Sequence, residues 1–305
     1  MEKNSAPVRV RVPGSTSNLG PCFDLCGLAV QIYIEVAFEP CDEGLSWTLE
    51  GEGADLIRRT EDNLVLEAAQ RLWRLVGFTP PGLNVRIHNA IPLYSGLGSS
   101  GAAVAAGLVA ANALAGAHAS LESLLALGTE IEGHPDNVTA SLLGGLVLSC
   151  RDGDRVHSLS YRYPKPLSLA VLIPQAEVST RHSRQCLPDA YTSEDAVFNV
   201  SHAAQLAAAF ASGRLEEAGF AFEDRFHQPP RAQQMPYLFD AIAAARAAGA
   251  FGAFLSGSGP SVGALGAPET IPAVLDAFRA IVKRFGLGGR VLALPIDYEG
   301  DQILA

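Results

Sequence analysis

The segment Pro92-Leu93-Tyr94-Ser95-Gly96-Leu97-Gly98-Ser99-Ser100-Gly101 sets glycines and serines directly before an alanine-rich stretch. Glycines let a backbone approach a ligand without Cβ interference. A helix that begins right after them turns unpaired N–H groups and the positive end of its dipole toward the same spot. Together these features form an anion pocket suited to a di- or triphosphate. Ser99 and Ser100 add hydroxyls for a phosphate oxygen or a bound Mg²⁺. A Walker A loop is excluded, because GxxxxGK[ST] needs a lysine that this loop lacks. Gly96-x-Gly98-x-x-Gly101 also fits the dinucleotide pattern GxGxxG. That pattern requires a strand running straight into the glycines, whereas Pro92 interrupts the approach, and Glu122, the residue placed to bind a ribose, falls in helical rather than strand spacing. A glycine-rich helix entry without a ligand is the third reading of the same residues.

Other residue types that can do chemistry are scattered. Arg184 and Arg231 can each grip both oxygens of a carboxylate, although a lone arginine is more often a solvated surface residue. Arg184 follows Thr180 by four positions, which is one helical face if the segment is helical. Asp24 as a bare residue reads as a turn aspartate, and His134 as a satisfied structural histidine. Glu130 and Glu132 read as solvated helix carboxylates that point in different directions. Cys22 and Cys26 have no second Cys/His pair at finger-like spacing, so a metal site is not expected there.

The elements that must position these groups follow from the pattern of apolar residues. Strands are predicted at 8–12, ended by Pro13, and at 27–38, 45–50 and 83–88. Helices are predicted at 63–76, from 99 to about 115, and at 121–132, where Gly133 and Pro135 stop the last one. Strands follow at 146–149 and 167–173. A mostly helical stretch spans 196–250, broken by an HQPPR turn at 227–231. The chain then reads as strand, glycine turn and strand over 252–265, helix over 271–285 and strand over 290–294. This is an α+β arrangement in two lobes, 1–160 and 161–305. The chain has 305 residues, 48% hydrophobic and 18% charged, which suits a soluble globular protein. A net charge of −10 argues against nucleic acid as a general partner. No apolar run reaches the ~20 residues of a membrane span. The amino terminus lacks a signal-peptide core, so a cytoplasmic location is expected.

Five segments in order resemble one family. The stretch VPGSTSNLGPCFDLCGLAV (12–30), PLYSGLGSS (92–100) and FLSGSGPSV (254–262) resemble the three motifs of the GHMP kinases. EGHPDNVTASLLGG (132–145) and TRHSRQCLP (180–188) narrow the likeness to the homoserine kinase branch. The resemblance implies the two-lobed GHMP kinase fold, with a ribosomal-S5-like amino-terminal lobe and a ferredoxin-like carboxy-terminal lobe. It implies ATP and L-homoserine as ligands, Mg²⁺ as cofactor, and a possible homodimer. By the same resemblance the loop 92–101 binds ATP, with Asn63 and Val65 at the adenine and ribose. Asp24 receives the substrate ammonium, Arg184 and Arg231 its carboxylate, and Asn18 its hydroxyl end, while His134 and Gly257 contact the substrate. Ser100 (or Ser99) and Glu130 hold the metal, with Glu132 as the alternative carboxylate. Asn137 stands where many relatives carry a catalytic aspartate, and Thr180 helps orient the hydroxyl. The chain departs from the usual motifs at Gly14, Ser17, Cys22, Leu25, Cys26, Tyr94, Thr139 and Ser141.

Overall fold

A computed structural model describes residues 6–175 and 180–304, with side chains in the second span from Ser183 onward. The chain opens with β1 (Val8–Ser17), β2 (Cys26–Cys41) and β3 (Gly44–Gly51), followed by α1 (Leu64–Val76), β4 (Gly82–Asn89) and α2 (Ser99–Leu114). Next come α3 (Leu121–Glu132), α4 (Asp136–Leu143), β5 (Leu146–Asp152) and β6 (Arg155–Tyr161). The second half holds β7 (Ser168–Ile173), α5 (Thr180–Gln185), α6 (Ser193–Ala211), α7 (Gln228–Ala232) and α8 (Leu238–Ala247). It ends with β8 (Gly252–Leu255), β9 (Val262–Gly266), α9 (Ile271–Phe285), β10 (Arg290–Pro295) and β11 (Gln302–Leu304).

Two sheets organise these elements. The first runs β11-β1-β2-β4-β3, with β5 also on β2 and β6 on β5; the second runs β10-β7-β9-β8. Pro13 does not end β1 as its sequence predicts. The register against β2 slips between Pro13 and Gly14, from Tyr33 to Val30, and at such a bulge the missing proline N–H costs no ladder bond. The strand therefore continues to Ser17 and carries a run of polar residues into the centre of the molecule. The edge strands β6 and β11, absent from the sequence reading, are short and largely exposed, so their apolar alternation is weak. β11 pairs with β1, which returns the end of the chain to the first sheet.

α2 is buried over nearly its whole surface, as expected for a helix apolar all round. Gly107 lets α1 pack tightly against it: a Cβ there would lie 2.3 Å from the Val65 carbonyl oxygen. Pro135 does not simply close a helix; it caps the start of α4, a position proline tolerates because its absent N–H has no intrahelical partner there. The HQPPR segment likewise forms the short helix α7, with proline in its first turn. On the second sheet, α8 and α9 pack through Leu238, Ala241, Val274 and Phe278. No helix among the described residues is long and apolar enough to cross a membrane.

Candidate functional site

The end of β1, the loop before α2, the start of α4 and the turn between β8 and β9 converge on one cleft of about 600 Å³. A seam of hydrogen bonds joins them. The hydroxyls of Thr16 and Ser256 lie 2.7 Å apart, and Ser256 donates to the Gly96 carbonyl at 2.7 Å. The Gly257 amide donates to the Ser17 carbonyl at 3.1 Å, and the Ser15 amide to that of Leu97 at 3.0 Å. Gly96 has φ 77°, and a Cβ on it would sit 2.1 Å from the Ser256 carbonyl oxygen, so only glycine fits.

The loop 92–98 delivers the chain into α2, whose first turn leaves its N–H groups facing the cleft at Ser99 and Ser100. Leu97 and Gly101 do not line the cleft. Leu97 is fully buried in the core, and Gly101 packs its backbone against Asn137. Tyr94 adopts φ 52° at the rim and is half exposed. Asn63 caps α1 by accepting from the amides of Val65 and Leu66, while its Nδ2, buried in the cleft wall, has no partner.

Ser100 donates to Glu132 at 2.9 Å. Glu130 is turned away and pairs with Arg71 at 3.2 Å on the exposed side of α3. Two residues apart on a helix point roughly 200° apart, and α3 turns Glu132 toward Ser100. Of the two carboxylates weighed from sequence, Glu132 meets Ser100 and Glu130 meets Arg71. Burial raises the pKa of Glu132, opposed by the charge on His134 and the Ser100 hydrogen bond, with Asp136 adding the smallest upward effect. Glu122, weighed as a ribose acid, lies on the surface beside Arg155 at 3.6 Å.

At the start of α4, His134 Nδ1 lies 2.6 Å from Asp136. Burial opposes a charged imidazole, yet the Asp136 carboxylate outweighs it, helped by Glu132 and Asp24, and the His134 pKa rises to about 9. Burial pushes Asp136 up, but His134 and the Asn137 amide hold it below the usual carboxylate range. Asn137 is locked: its Oδ1 accepts from Ser15 at 3.0 Å, and its Nδ2 donates to Ser17 at 3.1 Å and to Asp136 at 3.2 Å.

The loop after β1 is bent through Asn18, Leu19 and Asp24, all at positive φ. Asn and Asp accept this conformation readily, whereas Leu19 costs about 1–3 kcal/mol. The bend presents Asp24 to Arg184, which donates two hydrogen bonds at 2.9 and 2.6 Å. Asn18 accepts from the Asp24 amide at 3.0 Å and donates to the Gly257 carbonyl at 2.9 Å, tying this loop to the second lobe. Arg231 is 2% exposed and has no carboxylate within 4.0 Å among the described residues. Its partners are neutral: the Ser183 and Gly257 carbonyls and His227.

Of the residues predicted from sequence, Asn18, Asp24, Asn63, Val65, His134, Asn137, Arg184, Arg231 and Gly257 all line this cleft, with Pro92–Gly96 and Gly98–Ser100. Thr180 opens α5, and its side chain lies outside the described residues. Sequence reasoning missed Phe23 and His227, which stack 5.4 Å apart beneath the arginines, and the serines that grip Asn137. Their only signal was adjacency to motif residues.

Known proteins resemble this chain in sequence and in fold. The GHMP kinases N terminal domain matches residues 63–145, and the GHMP kinases C terminal family matches residues 206–284. The chain is 41% identical over 298 residues to a homoserine kinase of Synechococcus sp., covering 97% of each. It is 40% identical over 304 residues to a homoserine kinase of Deinococcus radiodurans, covering 99% of each. Its fold matches the crystal structure of the homoserine kinase from Cytophaga hutchinsonii with a TM-score of 0.89 and 28% identity, over 100% of this chain and 99% of that one. A mevalonate kinase of L. major in complex with R-mevalonate, 18% identical, shares the fold alone, with a TM-score of 0.66 over 97% of this chain and 96% of that one.

The lock on Asn137 predicts the effect of a carboxylate there. In Asn137→Asp the new carboxyl faces Asp136, so its folded pKa is raised above its unfolded value. The penalty is absent below the unfolded pKa and grows as pH rises toward the folded one. Thermal melts should therefore differ least from the parent near pH 4 and most near pH 8. A difference independent of pH contradicts this account.

Proposed function

The chain belongs to the GHMP kinase family, and from that membership we propose that it transfers the γ-phosphoryl group of ATP to the hydroxyl of L-homoserine. The product is O-phospho-L-homoserine, on the route to threonine. The observation that carries the substrate assignment is Arg231, a buried guanidinium with no carboxylate within 4.0 Å among the described residues, facing the cleft that also holds the glycine-serine loop. An unpaired buried cation is costly, and a ligand carboxylate relieves it through two parallel hydrogen bonds. Asp24 and Arg184 supply the rest of a zwitterion's counterpart: an acid for the ammonium and a second fork for the carboxylate. Mevalonate or a sugar carries no ammonium for Asp24.

The donor is received by the loop. The first turn of α2 accepts the phosphates through its free N–H groups, and the unpartnered Nδ2 of Asn63 is available to a nucleobase acceptor. The pair Ser100 and Glu132 fits Mg²⁺, because a carboxylate and a hydroxyl meet there at the edge of the phosphate loop, and a hard cation prefers such oxygens. Mg²⁺, when bound, neutralises the charge on the transferring phosphoryl group. Asn137 cannot take a proton; it orients the substrate hydroxyl, and a loose transition state needs little proton removal before the new bond to phosphorus forms. His134, held protonated by Asp136, adds positive charge to the same wall.

Two variants test these roles. Arg231→Ala should raise the KM for L-homoserine by about 10–100-fold, the worth of hydrogen bonds to a charged group, and leave the KM for ATP within about twofold; equal rises in both contradict the assignment. Glu132→Gln should raise the Mg²⁺ concentration for half-maximal rate by about tenfold, while Glu130→Gln leaves it nearly unchanged. The opposite ranking would return the metal to Glu130.

A further inference from the structure

His227 is fully buried one helical turn before Arg231, at the start of α7. Its two ring nitrogens face groups of opposite kind. Nε2 lies 2.8 Å from the Gly20 carbonyl, which can only accept, so Nε2 carries the hydrogen. Nδ1 lies 2.9 Å from the Nη1 of Arg231, which can only donate, so Nδ1 must offer its lone pair. The partners therefore fix the neutral imidazole in a single tautomer.

The surroundings agree. Burial lowers the His227 pKa; the Asp224 carboxylate opposes this, the positive charge of Arg231 adds to it, and the net direction is down. Asp224, the nearest acid, stands 3.8 Å from Nε2, beyond hydrogen-bond reach. Its carboxylate is occupied by Asn199 and by the amides of Phe226, His227 and Gln228, at 2.6–2.9 Å. Phe23 stacks on the imidazole, and its ring also lies 5.4 Å from the guanidinium carbon of Arg231. A lone pair, an aromatic face and two carbonyls orient Arg231 without neutralising it, whereas Arg184 is already neutralised by Asp24. Among the described residues, then, one fork of the cleft keeps its full charge for a ligand, and His227 sets the direction of that fork.

We propose that His227 is a positioning residue for the phosphoryl acceptor: its bare Nδ1 aims the Arg231 guanidinium at the acceptor's carboxylate and so sets selectivity for amino acids over amino alcohols. This rests on the reading of L-homoserine as the acceptor. The discriminating variants are polar and similar in size. His227→Asn places an amide oxygen near Nδ1 and keeps an acceptor for Arg231. His227→Gln places its amide near Nε2, keeps a donor for Gly20 and loses the acceptor.

His227→Gln should raise the KM for L-homoserine about tenfold, with the KM for ATP changed less than about twofold. It should also narrow the preference for L-homoserine over 3-aminopropan-1-ol by a similar factor. His227→Asn should stay within about threefold of the parent, and in the Arg231→Ala background the Gln change should add nothing. The inference is overturned if Asn and Gln behave alike, if the two KM values rise together, or if the effects of His227→Gln and Arg231→Ala simply add. Turnover of L-homoserine by the unmodified protein separates the two levels: without it the acceptor reading falls and takes this role with it, whereas normal turnover with any overturning pattern removes only His227.

Discussion

The cleft exists because three backbones touch. Ser256 hydrogen-bonds both Thr16 and the Gly96 carbonyl, and the Gly257 amide reaches Ser17, so the first sheet, the loop before α2 and the β8–β9 turn are bound into one wall. A methyl group at Gly96 would fall 2.1 Å from the Ser256 carbonyl oxygen and force them apart. Everything functional depends on that closeness. The anion-binding start of α2, the locked Asn137 and the arginine fork come from distant parts of the chain and face one another only because the seam is closed.

Within that frame the charges are arranged for a ligand and not only for the fold. Most ion pairs of the chain are partly or largely exposed, where such pairs contribute little to stability. In and beside the cleft the pattern changes: Asp136 and His134 are tightly paired, Asp24 and Arg184 are paired bidentately, Glu132 meets the Ser100 hydroxyl, and Arg231 has no carboxylate within 4.0 Å among the described residues. An acid hydrogen-bonded to Ser100 at the edge of the cleft and a cation without a close acid inside it suit a metal-bound phosphate and a carboxylate respectively. Neutral His227 and Phe23 make the second of these tolerable while keeping it available.

Much of this was legible in the sequence, because the chemistry is concentrated in short motifs whose glycines and polar residues have few alternative uses. The loop 92–101, Asn18, Asp24, Asn137 and both arginines stand out in the sequence through the family motifs, and all of them but Leu97 and Gly101 line the cleft. What was not legible depended on packing. Glu130 and Glu132 differ only in which face of α3 turns inward, and no local property of the two glutamates reveals that. Pro135 and Pro13 read as terminators, but one caps the next helix and the other sits in a bulge that only the partner strand discloses. β11 joins β1 from the other end of the chain, a pairing of high sequence separation that leaves no local pattern. His227 gained meaning only once the orientation of Arg231 was known.

The central claim is that the cleft selects an acceptor bearing both an ammonium and a carboxylate beside its hydroxyl. The most direct measurement is ADP release from ATP with Mg²⁺ in the presence of L-homoserine, 3-aminopropan-1-ol, mevalonate or water alone. The account predicts a rate far above the water blank with L-homoserine and rates near that blank with the other acceptors. Equal rates with 3-aminopropan-1-ol or mevalonate, or no rate above water with L-homoserine, would contradict it.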